Sequence, residues 1–499
     1  MKFSDSLMSN QKDNPWIVQK YGGTSLLNVG DSCDFRKHLE DYRVVLVCSA
    51  RSCETKSKGT TNMLLRAAEE SQKSDSDEYL RIVDQIAADH VQGARSVINN
   101  AKILKELEQQ LYKDISELKN LLNATKIINE ISPHSKDKII GYGERLSCRI
   151  VHAVLRDKGI DAEFVSLENV IGQGKFDRVD LDRTFYDHLA DVMSSKVRKC
   201  GDRVPVVTGN FGVFPGSLLA NVGRGYTDLC AALLASGLGA KELQIWKEVD
   251  GIFTADPRKV KSARLLTTIT PEEASELTYY GSEVIHPFTM EQVMRRSIPI
   301  RIKNVMNPLG EGTIVFPDNS VENGWAKSSN IPDINQNGNH FDTSKKQPTA
   351  VTIKDNVIVI NVHSNRKMIS HGFFAQIFAA LDTYGIIVDL ISTSEVHVSM
   401  ALGANIEERD LQAAIQELKK LGQVDVLKDM AILSLVGKQM KNAVGIAGKM
   451  FTTLAAAKVN IEMISQGASE INISCVIDEV NAEIALNVIH ANLLPPYNI

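Results

Sequence analysis

Trp16-Ile17-Val18-Gln19-Lys20-Tyr21-Gly22-Gly23-Thr24-Ser25 is a strand-like run that ends in a lysine, a tyrosine and two glycines. A strand feeding a glycine pair lets backbone N–H groups approach an anionic ligand with no Cβ in the way. A lysine at the strand end adds a point charge for phosphoryl oxygens. The junction reads as a phosphate cradle. An ordinary glycine turn with a solvated lysine has the same string, so its weight depends on what surrounds it.

The surroundings are those of an α/β protein. Through the first three hundred residues, short β-branched runs alternate with helical stretches, the pattern of a mostly parallel sheet. Arg43 to Cys48 is followed by a helix-like Asn62 to Glu70, and further strands are expected at 162–165, 204–207, 243–246 and 300–303. Ligands of such sheets gather at the carboxyl ends of the strands. The charged stretch from about Glu69 to Glu130 carries Leu104, Leu107, Leu111, Ile115, Leu118 and Leu121 at helical spacing. It reads as a helical excursion packed on the sheet core.

From Pro317 to Pro348 the chain is rich in Asn, Ser, Asp, Gly and Lys, and reads as a linker. Beyond it lies an internal repeat: Gly372, Phe378, Leu381 and Ser392 recur 73 positions later as Gly445, Phe451, Leu454 and Ser465. Each copy has a strand, a glycine loop, a helix and a strand pair, which makes a small α+β sandwich. The expected organisation is a catalytic domain over 14–316, the linker 317–348, and α+β domains over 349–428 and 429–499.

Composition bounds the function. With 499 residues, 43% hydrophobic and 23% charged, the chain suits a globular protein of about three domains. A formal net charge of −5 offers no bulk attraction to nucleic acid or anionic membranes. The seven cysteines lack CxxC spacing and read as reduced thiols. The polar N-terminus has no apolar targeting core, so a cytoplasmic location is expected.

Absent motifs narrow the chemistry further. Neither a GxxxxGK[ST] loop, nor GxGxxG, nor an HRD or DFG pair is present. Three other segments carry candidate groups. In Gly141-Tyr142-Gly143-Glu144-Arg145-Leu146-Ser147 the Glu144 carboxylate is expected at a helix start. Gly223-Arg224-Gly225-Tyr226-Thr227-Asp228 opens a helix, where Thr227 and Asp228 suit capping. An arginine between glycines fits a carboxylate bidentately and a nearby aspartate accepts from an ammonium, so Arg224 and Asp228 resemble an amino-acid clamp. Trp246 to Arg258 is a post-strand loop suited to a nucleotide edge.

In this order the segments resemble the aspartate kinases of the amino-acid kinase superfamily, over nearly the whole chain. KYGGTS at Lys20 to Ser25, GERLS at Gly143 to Ser147, VGRGYTDLCAA at Val222 to Ala232, VDGIFTADPR at Val249 to Arg258 and SEVIHP at Ser282 to Pro287 carry the likeness. VDLISTSEVHVSM at Val388 to Met400 and NIEMISQGASEINIS at Asn460 to Ser474 are similar to the family's paired ACT domains. The fungal, monofunctional type is nearest. The resemblance implies the amino-acid kinase fold, and ATP- and Mg²⁺-dependent phosphorylation of the L-aspartate side-chain carboxylate to 4-phospho-L-aspartate, the entry to lysine, threonine and methionine synthesis.

By the same resemblance Lys20, Gly22, Gly23 and Asp228 are catalytic, and Thr61, Glu144, Arg224 and Thr227 bind substrate, with no protein metal ligands named. Lys247, Asp250, Phe253 and Arg258 fall where the family binds nucleotide. Met368, Ser370, Gly372, Phe373, Phe374, Ile387, Asp389, Ser394 and Glu395 fall in its effector pocket, with threonine favoured over lysine as feedback inhibitor and a homo-oligomer expected through the ACT domains. Two positions depart from the pattern: Glu283, where bacterial members carry lysine, and Asn210, where phenylalanine usually follows the glycine. Asn210 bears on packing against bound aspartate. A kinase for another amino acid, or a catalytically silent amino-acid sensor, remain as alternatives.

Overall fold

The computed structural model describes residues 7–23, 38–52, 59–73, 76–171, 181–214, 217–279, 285–316, 347–364, 372–403, 406–440, 443–467 and 471–494, the side chains of 220, 221, 224, 279 and 439 excepted. These fall into two compact units. The first comprises Met1–Ile252, Thr267–Pro271 and Ile285–Asn323, and the second Phe253–Leu266, Glu272–Val284 and Gly324–Ile499.

The first unit is built on an eight-stranded sheet of β1 (Trp16–Tyr21), β2 (Arg43–Cys48), β3 (Ala162–Val165), β4 (Val204–Thr208), β5 (Glu242–Lys247), β6 (Thr268–Ile269), β7 (Ile300–Asn304) and β8 (Thr313–Val315). Its order is β3-β4-β2-β1-β5-β7-β8-β6. β1 pairs in parallel with both β2 and β5, and β2 with β4, so the chain leaves all four strands at one edge. Side chains of β1 alternate between faces. Gln19 and Tyr21 share one face, where register places them opposite Gln244 and Trp246. Gln19 donates to Gln244 Oε1 at 2.9 Å, which satisfies two buried amides. Tyr21 stacks on Trp246 at 5.5 Å. Lys20 thereby faces the other way.

Its helices of eight residues or more, among the described residues, are α1 (Thr60–Ser71), α2 (Glu78–Val97), α3 (Ala101–Ile128), α4 (Pro133–Asp157), α5 (Arg183–Arg198), α6 (Tyr226–Leu238) and α7 (Pro287–Met294). Ser132 caps α4 through Ser135 N–H, and Pro133 occupies its first turn. The charged excursion is helical as expected, but it does not pack on the sheet. Leu107, Leu111, Ile115, Leu118 and Leu122 of α3 join α1, α2 and one face of α4 in a separate core. The sheet-facing cluster instead receives Cys148, Val151 and Leu155, which interleave with Ile150, Ala153 and Val154 of the helical core along α4. α4 serves both cores because it is buried on two faces. Buried Asp114 of α3 ties the layers together by accepting from Arg145 at 2.8 Å and from Arg149.

The second unit has a six-stranded antiparallel sheet of β9 (Ala350–His363), β10 (Val388–Thr393), β11 (His397–Gly403), β12 (Gln423–Val436), β13 (Met463–Ser465) and β14 (Asn472–Asp478), ordered β10-β11-β9-β12-β14-β13. The helices that follow β9 are α8 (Phe373–Thr383), α9 (Glu408–Lys419), α10 (Ile446–Ala456) and α11 (Ala482–Leu493). The 73-residue repeat recurs in three dimensions. Gly372 and Gly445 precede α8 and α10 with φ of 95° and 89°, a conformation that favours glycine. The two repeats share strands. The start of β9 pairs with the end of β12, while the end of β9 pairs with β11 and the start of β12. Position 428/429 lies inside β12.

Two segments from the kinase-like part of the sequence belong to this unit. Residues 253–266 are fastened by a hydrogen bond of 2.9 Å between Thr254 Oγ1 and His490 Nε2, and by a Lys259–Asp355 ion pair of 2.5 Å. In helix Pro271–Tyr279, buried Glu273 accepts from Thr349 Oγ1 at 2.6 Å and from Lys438 N–H at 2.8 Å.

Candidate active site

The carboxyl edge of the first unit's sheet gathers the charged groups. Gly23, just past β1, passes so close to the exit of β2 that a Cβ there would lie 2.2 Å from the Ala50 carbonyl oxygen. Only glycine lets these two connections run side by side. Lys20, 9% exposed at the end of β1, points to the first turn of α6 and pairs with Asp228 at 2.8 Å. Beside it Thr227 is buried against Gly209, which follows β4.

Glu144 arrives from α4. The sequence placed it at a helix start, but it sits in the interior of a 25-residue helix, whose N-terminal dipole is therefore not what holds its charge. Its carboxyl is 1% exposed, and Oε1 accepts from Tyr226 Oη at 2.5 Å. Oε2 makes no hydrogen bond. Burial pushes the Glu144 pKa up to about 7, against the opposing pull of the Tyr226 hydroxyl, nearby backbone N–H groups and Lys20. Thr61, in the first turn of α1, also bonds the Tyr226 hydroxyl, whose own pKa is driven upward by burial and by Glu144. A buried carboxylate with one free oxygen, beside a lysine–aspartate pair at the edge of a parallel sheet, is suited to receive an ammonium group next to a phosphoryl-transfer centre.

Tyr226 stands inside the Gly223–Asp228 string, where nothing local marks it as functional. Its partner lies 82 residues away, and no local pattern reveals it. Asp137 was missed as well. Its one sequence signal is its spacing, seven residues before Glu144 on the same face of a helix.

Arg224 lies in the tight turn Gly223–Gly225 that leads into α6, and its side chain is outside the described residues. Lys247 ends β5, beside β1. Asp250 follows it and accepts from Asn304 Nδ2 at 3.0 Å and Asn307 Nδ2 at 3.2 Å. Phe253 and Arg258 belong to the second unit. Arg258 is 88% exposed in its side chain and pairs with Asp256 at 2.7 Å.

Asn210 braces its own loop, with Oδ1 accepting the Gly212 N–H at 2.9 Å. Its side chain is buried beside Gly141 of α4. Glu283 is outside the described residues, as are Met368 and Ser370. Phe373 is buried, whereas Phe374, Ile387, Ser394 and Glu395 are exposed. Asp389 lies within β10, and its carboxylate pairs with Lys354 at 2.6 Å.

Residues 15–304 match the amino acid kinase family and residues 433–493 an ACT domain. The chain belongs to the amino acid kinase family. It is 54% identical over 497 residues to the aspartokinase of Schizosaccharomyces pombe, spanning 98% of this chain and 96% of that one. To the aspartokinase of Saccharomyces cerevisiae it is 50% identical over 495 residues, 96% and 93% of the two chains. Among solved structures, E. coli aspartokinase III superposes with a TM-score of 0.71 in its R-state complex with aspartate and ADP. In its T-state complex with lysine and aspartate the TM-score is 0.73, and both matches have 26% identity over 96% of this chain and 99% of the other. Within its family the chain is an aspartate kinase. Among the described residues no helix is long and apolar enough to cross a membrane.

Proposed function

We propose a division of labour for phosphorylating the L-aspartate side-chain carboxylate from ATP, carried by one observation: Lys20, Asp228, Glu144 and Tyr226 meet at the carboxyl edge of the sheet. Both reactants are anions, so the site must neutralise charge and align a carboxylate oxygen with the γ-phosphorus. Lys20 and the Gly22 and Gly23 amides take phosphoryl oxygens, with Asp228 orienting the lysine. Arg224 takes the α-carboxylate. Glu144 Oε2 takes the α-ammonium, with Thr61 and Thr227 lining the same pocket. Lys247, Asp250, Phe253 and Arg258 serve the nucleotide.

Mg²⁺ fits as an ion carried by the phosphates. Among the described residues no three His, Cys, Asp or Glu side chains form a metal cluster, and kinase Mg²⁺ needs only one or two carboxylates besides phosphate and water. Bound there, it neutralises charge on the transferring group.

The catalytic part spans 14–316 and the regulatory ACT part 349–499, with threonine the feedback ligand at the first repeat around Gly372 and Asp389. ACT pairing between copies makes a homo-oligomer in the cytoplasm. The threonine assignment rests on the likeness to fungal aspartokinases at 50–54% identity. ADP release measured with aspartate against glutamate, then with threonine, lysine and methionine added, tests the reading. Turnover on glutamate equal to that on aspartate refutes the substrate assignment, and inhibition by lysine alone refutes the effector.

A further inference from the structure

The segment that carries Arg224 is gripped from α4 at both ends. Near its far end, Tyr226 donates to Glu144. At its near end stands Asp137, fully buried and two helical turns earlier on the same face, about 10 Å away along the helix. Its carboxylate accepts from Ser217 Oγ at 2.8 Å, Leu218 N–H at 2.9 Å and Phe214 N–H at 3.3 Å. The partners its carboxylate shows among the described residues are these three donors. A fully buried carboxylate balanced only by hydrogen-bond donors is costly to keep unless those donors are held in place. One of the three donors sits on a backbone that is itself strained. Ser217 has a φ of 101°, a region non-glycine residues seldom adopt, and it opens the one-turn helix Leu218–Asn221 that delivers Gly223-Arg224-Gly225.

We propose that Asp137 is a positioning residue that fixes the Arg224 segment and so sets the affinity for aspartate. This rests on the reading that Arg224 takes the α-carboxylate. A guanidinium on a turn between two glycines has little rigidity of its own, and displacement of such a group by about 1 Å costs on the order of 10²-fold.

The test compares Asp137→Ala, Asp137→Asn and Ser217→Ala in the full chain, measuring kcat and KM for aspartate and ATP separately, with thermal melts alongside. Asp137→Ala is expected to raise KM for aspartate about 10–100-fold and leave KM for ATP within about twofold. Asp137→Asn, which keeps one accepting oxygen, should fall between it and wild type. If Asp137→Ala fails to fold, Ser217→Ala carries the test, because it removes one donor of three and should still raise KM for aspartate alone. An unchanged KM for aspartate, or parallel rises for both substrates, overturns the positioning role. Arg224→Ala measured beside these separates the two claims: an unchanged KM for aspartate in that variant overturns the clamp on which the proposal rests.

Discussion

Replacing Glu144 by glutamine should make the protein more stable at pH 8 while destroying its use of aspartate. Glu144 is buried with its pKa raised from 4.5 to about 7. The folded state therefore holds a proton that the unfolded chain releases above pH 4.5. The sign follows: below about pH 4.5 both states are protonated and Glu144 costs nothing. Between 4.5 and 7 the unfolded state gains from ionisation and the fold does not. Above 7 the cost is constant. A rise of about 2.5 pKa units at 1.36 kcal/mol each amounts to about 3 kcal/mol. Glutamine never ionises, and its Oε1 still accepts from Tyr226. Its amide nitrogen, placed where Oε2 had no partner, gives back about 1 kcal/mol. A net gain of about 2 kcal/mol is expected at pH 8, shrinking towards zero or below as pH falls to 4.5. Urea melts of both proteins from pH 5 to 8 measure it, with aspartate kinetics alongside. A stability difference that does not change with pH refutes the burial argument. Retained aspartate affinity refutes the ammonium role, because the cost of that carboxylate would then have no function to explain it.

Lys20→Ala should lower kcat by at least about 10²-fold with the fold preserved, since charge stabilisation at a transferring phosphoryl group acts on the transition state; single-turnover rates near wild type would remove Lys20 from the chemistry. Arg224→Ala should weaken aspartate use by roughly 2–5 kcal/mol and leave ATP binding nearly unchanged, checked by titration with each substrate separately. Asp389→Ala should keep kinase activity and lose threonine inhibition. Lys354→Met, which breaks the same 2.6 Å pair but spares the carboxylate, should stay inhibitable. Inhibition curves that coincide for wild type and Asp389→Ala would move the effector site elsewhere.

What the sequence determined by itself was local and periodic. The alternation in Trp16 to Tyr21, the glycine pair after it, the helix opened by Tyr226-Thr227-Asp228 and the 73-residue offset between Gly372 and Gly445 all depend on neighbours within a few residues or on self-similarity. β1 to β5 and β7 were legible for that reason. β6 and β8, two and three residues long, were too short to show a period. The tertiary structure alone decided how the groups act. Glu144 became a high-pKa carboxyl because α4 buries it in the core, where the Tyr226 hydroxyl, 82 residues away in sequence, offsets only part of the rise. Asp137 can be buried as a carboxylate because Ser217 and Leu218, 80 and 81 residues on, present their donors to it. Phe253 and Arg258 read as part of one continuous nucleotide string, yet residues 253–266 pack with α11 and β9 of the second unit. β9 and β12 each serve both repeats, which a linear division at 428/429 does not convey. Desolvation and long-range hydrogen bonding depend on what surrounds a side chain in space, and sequence order carries no direct record of that.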